Sequence, residues 1–152
     1  MSSFSHLDDS GQARMVDIGC KKPVERRARA QGSIKVNRDV LDKLTTCGSV
    51  KKGNITATAR LAGIMAAKMT SNLIPLCHNI PLNSVGIDMS IDEKNSLVKV
   101  EASVSTNYRT GVEMECLTAV SVALLTIYDM CKSIDKQMLI SDVRLVSKIK
   151  EH

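Results

Sequence analysis

Apolar residues recur along this chain with two different periods, and the change between them separates strands from helices. Val85, Ile87, Met89 and Ile91 alternate with polar or small residues, as do Val98, Val100, Ala102 and Val104. A period of two makes each segment a half-buried strand. The polar insert Asp92-Glu93-Lys94-Asn95-Ser96 between them predicts an antiparallel hairpin. After Thr110-Gly111-Val112-Glu113, which has the form of a capping box, Leu117, Val120, Leu124, Ile127, Tyr128 and Cys131 fall at helical spacing. That spacing predicts the longest helix of the chain.

Upstream, Met15-Val16-Asp17-Ile18 and residues 27–36 read as extended segments on either side of the break at Lys22-Pro23. Asn37 caps a short helix through Leu44, with Val40, Leu41 and Leu44 on one side. Lys51-Lys52-Gly53-Asn54 is a polar turn, and Asn54 caps a helix running to about Ser71, with Ile55, Leu61, Ile64 and Met65 available for burial. Alanine and glycine at 57, 59, 62, 63, 66 and 67 make this helix thin enough to approach a neighbour closely. A last extended run carries Met138, Leu139, Ile140, Val143, Leu145, Val146 and Ile149.

The order is therefore strand, helices, strand, strand, helix, strand. It predicts an α+β fold: a ferredoxin-like split βαβ, with an antiparallel sheet and helices packed on one face. The apolar content of the strands predicts that the open face is covered by another subunit of a homo-oligomer. Residues 1–12 are expected to be a flexible segment ahead of a single domain over 13–150.

Composition narrows the class further. With 152 residues the chain supports one core, and with 2% aromatics that core is built from aliphatic side chains. Five cysteines without a close pair argue against both a disulfide framework and a zinc knuckle. The start lacks the pattern of a secretory signal, and no apolar run is read as reaching the ~20 residues of a membrane span, so a cytoplasmic protein is expected. The net charge of +5 suits an anionic partner, either nucleic acid or a phosphorylated metabolite. The shortage of rings for base stacking disfavours nucleic acid.

Four places could carry chemistry. Lys52-Gly53-Asn54 sets a cation before a helix N-terminus, where free N–H groups favour an anion, although a solvated lysine in a capping turn is the plainer explanation. Pro75-Leu76-Cys77-His78-Asn79-Ile80-Pro81 confines a histidine between prolines, as in a rigid gripping loop or a structural crossover. Glu113, Met114 and Glu115 put two carboxylates in the first turn of the long helix, where they also complement its dipole. Asp129 and Lys132, three apart on one helical face, could exchange protons or simply pair. A metal site is not expected, because His78 and Cys77 supply two ligands at most.

Together these segments resemble the cyclic pyranopterin monophosphate synthase family, the accessory protein C of molybdenum cofactor biosynthesis. The likeness runs from about residue 11 to residue 149. It rests on Met15-Val16-Asp17, Lys52-Gly53 with Thr58-Ala59-Arg60 and Ala62-Gly63-Ile64, Ile74-Pro75-Leu76-Cys77-His78, Thr110-Gly111-Val112-Glu113-Met114-Glu115, and Leu125-Thr126-Ile127-Tyr128-Asp129-Met130-Cys131-Lys132. The resemblance implies a lyase converting 3',8-cyclo-7,8-dihydro-GTP to cyclic pyranopterin monophosphate with loss of pyrophosphate, without a cofactor. It also implies a hexamer, a trimer of dimers, with active sites at subunit interfaces.

By the same resemblance Asp129, Lys52 and Lys132 are catalytic. Leu76, Cys77, His78, Glu113, Met114, Glu115, Asp17, Lys21 and Arg26 bind substrate. Asn54 departs from the family's Lys-Gly-Asp. Two lysines in one cationic pocket should depress each other's pKa toward a useful acid/base range. Two rival readings are a Mg²⁺-dependent phosphohydrolase, for which clustered carboxylates are few, and a basic RNA-binding module, which the bare sheet face disfavours.

Overall fold

The computed structural model describes residues 4–46 and 55–151. The calls on Lys52 as a catalytic residue and on Asn54 as a cap therefore lie outside the described residues. Four strands, β1 (Val24–Lys35), β2 (Ser84–Asp92), β3 (Leu97–Tyr108) and β4 (Leu139–Lys150), form one antiparallel sheet ordered β2-β3-β1-β4. Helices α1 (Arg38–Thr46), α2 (Ile55–Lys68) and α3 (Thr70–Leu73) lie between β1 and β2, and α4 (Glu113–Cys131) lies between β3 and β4. This is the expected α+β ferredoxin-like arrangement.

Alternation in the strands sets the core. Ala28, Ala30 and Ile34 of β1, Ile87 of β2 and Val98, Val100, Ala102 and Val104 of β3 all point to the helical side. They meet Cys116, Ala119, Val120, Ala123, Leu124 and Ile127 of α4. Nineteen residues of mean hydropathy 1.5 give α4 the length and apolarity of a membrane span, contrary to the expectation that no run came close. Its apolar side is instead the centre of this core.

Small residues fix how α2 sits. The buried positions of this helix are Ala59, Gly63, Ala66 and Ala67. A Cβ on Gly63 would lie 2.9 Å from the Ala119 carbonyl oxygen and 3.3 Å from the Ala123 Cβ. The expected buried face held in part: Ile55 and Ile64 are half-buried against the core, while Leu61 and Met65 are 59% and 50% exposed. Close approach to α4 puts the thin side inward and leaves the larger apolar residues outside. The helix also breaks at Met69, and α3 follows as a separate turn.

Local signals held at one helix start and failed at another. Asn37 Oδ1 accepts the Val40 N–H at 3.0 Å, capping α1. At α4 the residue before the helix is Val112, and no side chain caps it. The helix begins two residues later than the capping box requires, so Glu113 is its first residue and its carboxylate lies over Gly111. Residues 15–18 form no strand. Ahead of them, Leu7 and Ala13 are bridged in a small hairpin, with Asp8 Oδ1 accepting the Ser10 and Gln12 N–H groups.

The face of the sheet away from the helices is polar, which corrects the expectation of an apolar one. Arg27, Arg29, Glu101, Ser103, Ser105, Asp88 and Ser90 occupy it in register. The Arg29–Glu101 ion pair lies across it. Exposed apolar residues run along α2 and α3, as Leu61, Met65, Met69 and Leu73, and along the edge strand β4, as Leu139, Val143, Leu145, Val146 and Ile149, of which Leu139 and Ile149 pair with Lys35 and Arg27 at the margin of the polar face.

Candidate active site

Strand direction decides where each candidate side chain can stand. Both β1 and β2 run opposite to β3, so α2 returns the chain in one direction and α4 returns it in the other. The start of α4 and the start of β1 therefore share one end of the domain, and the start of α2 and the last turn of α4 share the other.

At the first end three segments converge: residues 15–22, the loop between α3 and β2, and the turn from β3 into α4. His78 Nε2 lies 2.7 Å from the Val16 carbonyl oxygen. A carbonyl can only accept, so this contact selects the tautomer with its proton on Nε2. Arg109 Nη1 donates to the Gly19 carbonyl at 3.1 Å, and the Gly19 N–H donates to Asp17 Oδ1 at 2.7 Å. Arg26 spans the turn, donating from Nε to the Tyr108 carbonyl and from Nη2 to the Arg109 carbonyl.

Beside them, Glu115 is 3% exposed. Burial, with a smaller contribution from the neighbouring Glu113 carboxylate, pushes its pKa up to about 6. The Cys77 thiol is raised as well, by burial first and then by the charge of Glu115, so Cys77 and Glu115 share one neighbourhood. A raised thiol pKa makes Cys77 a poor nucleophile. Glu113 pairs with Lys148 at 3.2 Å. Leu76 is half-buried, and Met114, Asp17 and Lys21 are exposed.

At the second end stand Asp129 and Lys132. Lys132 Nζ lies 2.6 Å from Asp129 Oδ1, and both side chains are solvent-exposed. The hydrogen bond and charge of Asp129 raise the Lys132 pKa. This is opposite in direction to the expected depression, because among the described residues the charge that pairs with Lys132 is a carboxylate. Sixteen residues separate Glu113 from Asp129, or about 24 Å along α4 at the usual helical rise.

One chain thus brings together Asp17, Lys21, Arg26, Leu76, Cys77, His78, Glu113, Met114 and Glu115, and holds Asp129 and Lys132 far from them. Sequence reasoning missed Arg109 and Lys148 at the first end. It also missed buried Asp135 near the second, whose carboxylate accepts the Asn37 and Gln137 N–H groups at 2.7 and 2.9 Å. Arg109 directly precedes the Thr110-Gly111-Val112-Glu113 string, the one local hint of its involvement.

The profile of the MoaC family matches residues 15–150. This chain belongs to the MoaC family. Among curated relatives, a protein of Roseiflexus sp. (strain RS-1) is 53% identical over 148 residues, covering 97% of this chain and 93% of its own length. One from Heliobacterium modesticaldum is 52% identical, covering 97% and 92%. One from Bordetella pertussis is 51% identical over 146 residues, covering 96% and 90%. Each is named cyclic pyranopterin monophosphate synthase. MoaC proteins are thus enzymes matching this chain over nearly its whole length, and both ends described above lie inside the matched region.

Proposed function

We propose that this chain carries out the reaction for which its relatives are named, converting 3',8-cyclo-7,8-dihydro-GTP to cyclic pyranopterin monophosphate with release of pyrophosphate, a step of molybdenum cofactor biosynthesis in the cytoplasm. The observation that carries this reading is the near full-length identity of about half the residues with proteins bearing that name. The unit that acts is a single domain over residues 13–150.

The chemistry asks for anion binding and repeated proton transfer. Lys21 and Lys52 provide cations for the triphosphate, and neutralising it favours departure of pyrophosphate. Arg26 is in part committed to main-chain carbonyls, so its role is to hold the turn as well as to supply charge. Opening the purine-derived ring and closing the pterin require groups that take and return protons. Asp129 with Lys132 forms one such pair, and Glu115, its pKa pushed up to about 6 by burial, is a second group.

A separation of about 24 Å is far too large for one bound nucleotide derivative to touch both groups, so a second copy completes the site. The stripe of Leu61, Met65, Met69 and Leu73 runs along the helical layer from one end toward the other. Two such stripes packed antiparallel about a two-fold axis bring the Asp129 end of one chain to the Glu115 end of its partner, giving two sites per dimer. The hexamer is three such dimers.

The reading is tested by incubating purified protein with the cyclised GTP derivative, with a chelator present, and following pyrophosphate and pterin together. Equal yields of the two are expected. A folded protein that releases neither removes the proposal, and release that the chelator abolishes favours a phosphohydrolase.

A further inference from the structure

Residues 15–22 cross the first end of the domain without entering a helix or a strand. They carry Asp17 and Lys21, and Ile18 is the anchor that they bury. Two side chains from elsewhere hold this strap: His78 at the Val16 carbonyl, and Arg109 at the Gly19 carbonyl. The strap also folds on itself, since Asp17 Oδ1 accepts the Gly19 N–H and the Ile18 carbonyl accepts the Lys21 N–H at 3.1 Å.

Arg109 is itself fixed. Its carbonyl accepts Arg26 Nη2, and the Arg26 Nε holds the adjacent Tyr108 carbonyl. These bonds join the start of β1, the end of β3 and the strap into one chain of contacts. A planar guanidinium with several N–H donors can grip a carbonyl in a set direction, which a lysine ammonium does less well.

We propose that Arg109 is a positioning residue that clips the strap at Gly19 onto the turn between β3 and α4, and so sets where Asp17 and Lys21 meet the substrate. This rests on the synthase reading only for what the strap serves; the clip itself stands on the geometry. Arg109 acts through the strap. Without the clip, the strap must be ordered each time an anionic substrate binds, and that cost falls on binding more than on the chemical step.

The test uses the full chain as wild type, Arg109→Ala and Arg109→Lys, with amide hydrogen exchange and steady-state kinetics on the cyclised GTP derivative. In Arg109→Ala, exchange at Gly19 and Lys21 should rise about tenfold, the size expected for losing a charged hydrogen bond, with the β1 and β3 amides unchanged. KM should rise by about the same factor while kcat moves little, and Arg109→Lys should recover part of both effects. Unchanged exchange in the strap, or a uniform rise across the sheet, overturns the proposal. So does a fall in kcat at constant KM, which would make Arg109 a group acting on the reacting atoms. If the wild type turns over no substrate, the synthase reading fails and exchange alone decides the clip.

Discussion

Replacing Glu115 by Gln should stabilise the protein at neutral pH and not in acid. The carboxyl is buried, and its pKa is raised from 4.5 to about 6, chiefly by that burial. Below pH 4.5 the group is protonated in folded and unfolded chains alike, so it contributes nothing. Between that value and about 6 the folded chain keeps a proton that the unfolded chain has released, so stability falls as pH rises. Above about 6 the loss is complete. A shift of this size amounts to ~2 kcal/mol. This is the reverse of the usual carboxylate that gains a cationic partner on folding. Urea unfolding of wild type and Glu115→Gln from pH 4 to pH 8 isolates the effect, because other carboxylates cancel in the difference. The variant's advantage should be near zero at pH 4, grow through the interval and level off near ~2 kcal/mol. A flat difference, or one that grows toward acid, refutes the reasoning.

Gly63→Ala should lower stability by about 1–3 kcal/mol in thermal unfolding, since the added methyl meets the Ala119 carbonyl oxygen at 2.9 Å and the backbone must shift. Asp135→Asn leaves one of the Asn37 and Gln137 N–H groups facing an amide donor, and should cost about 1–3 kcal/mol in the same assay. Lys132→Ala removes only an exposed ion pair. Its urea midpoint should match wild type, while turnover falls about a hundredfold or more, as loss of an acid/base group does.

The strands were legible because their signal is local. Val85, Ile87, Met89 and Ile91, and Val98 through Val104, face the helices or the solvent by parity alone, and the five polar residues between them left room only for a hairpin. The buried side of α2 was not legible from apolarity. Leu61 and Met65 are the stronger hydrophobes, yet Ala59, Gly63 and Ala66 face inward, because the gap left by α4 is narrow and only tertiary packing reveals it. The capping box failed as well: Val112, not Thr110, precedes the helix, and Arg26 from β1 fixes the carbonyls of Tyr108 and Arg109 just ahead of those four residues. The site residues were read as strings, and the strings were found. Their division between the two ends of α4 follows from the sheet order, and the bond from Arg109 to Gly19 spans 90 positions, beyond any local pattern.

Complementation between two inactive variants asks most directly whether the two ends belong to one active site. Glu115→Gln disables the first end and Asp129→Asn the second, each without changing side-chain shape. Mixed, unfolded and refolded together at equal amounts, about half of the dimers hold one chain of each kind, and one of the two sites in each is then wild type. The mixture should therefore recover about a quarter of wild-type synthase activity, although each variant alone is inactive. A mixture as inactive as its components, with mixed dimers demonstrated by co-purification through an affinity tag carried by one variant alone, would contradict a site shared between copies.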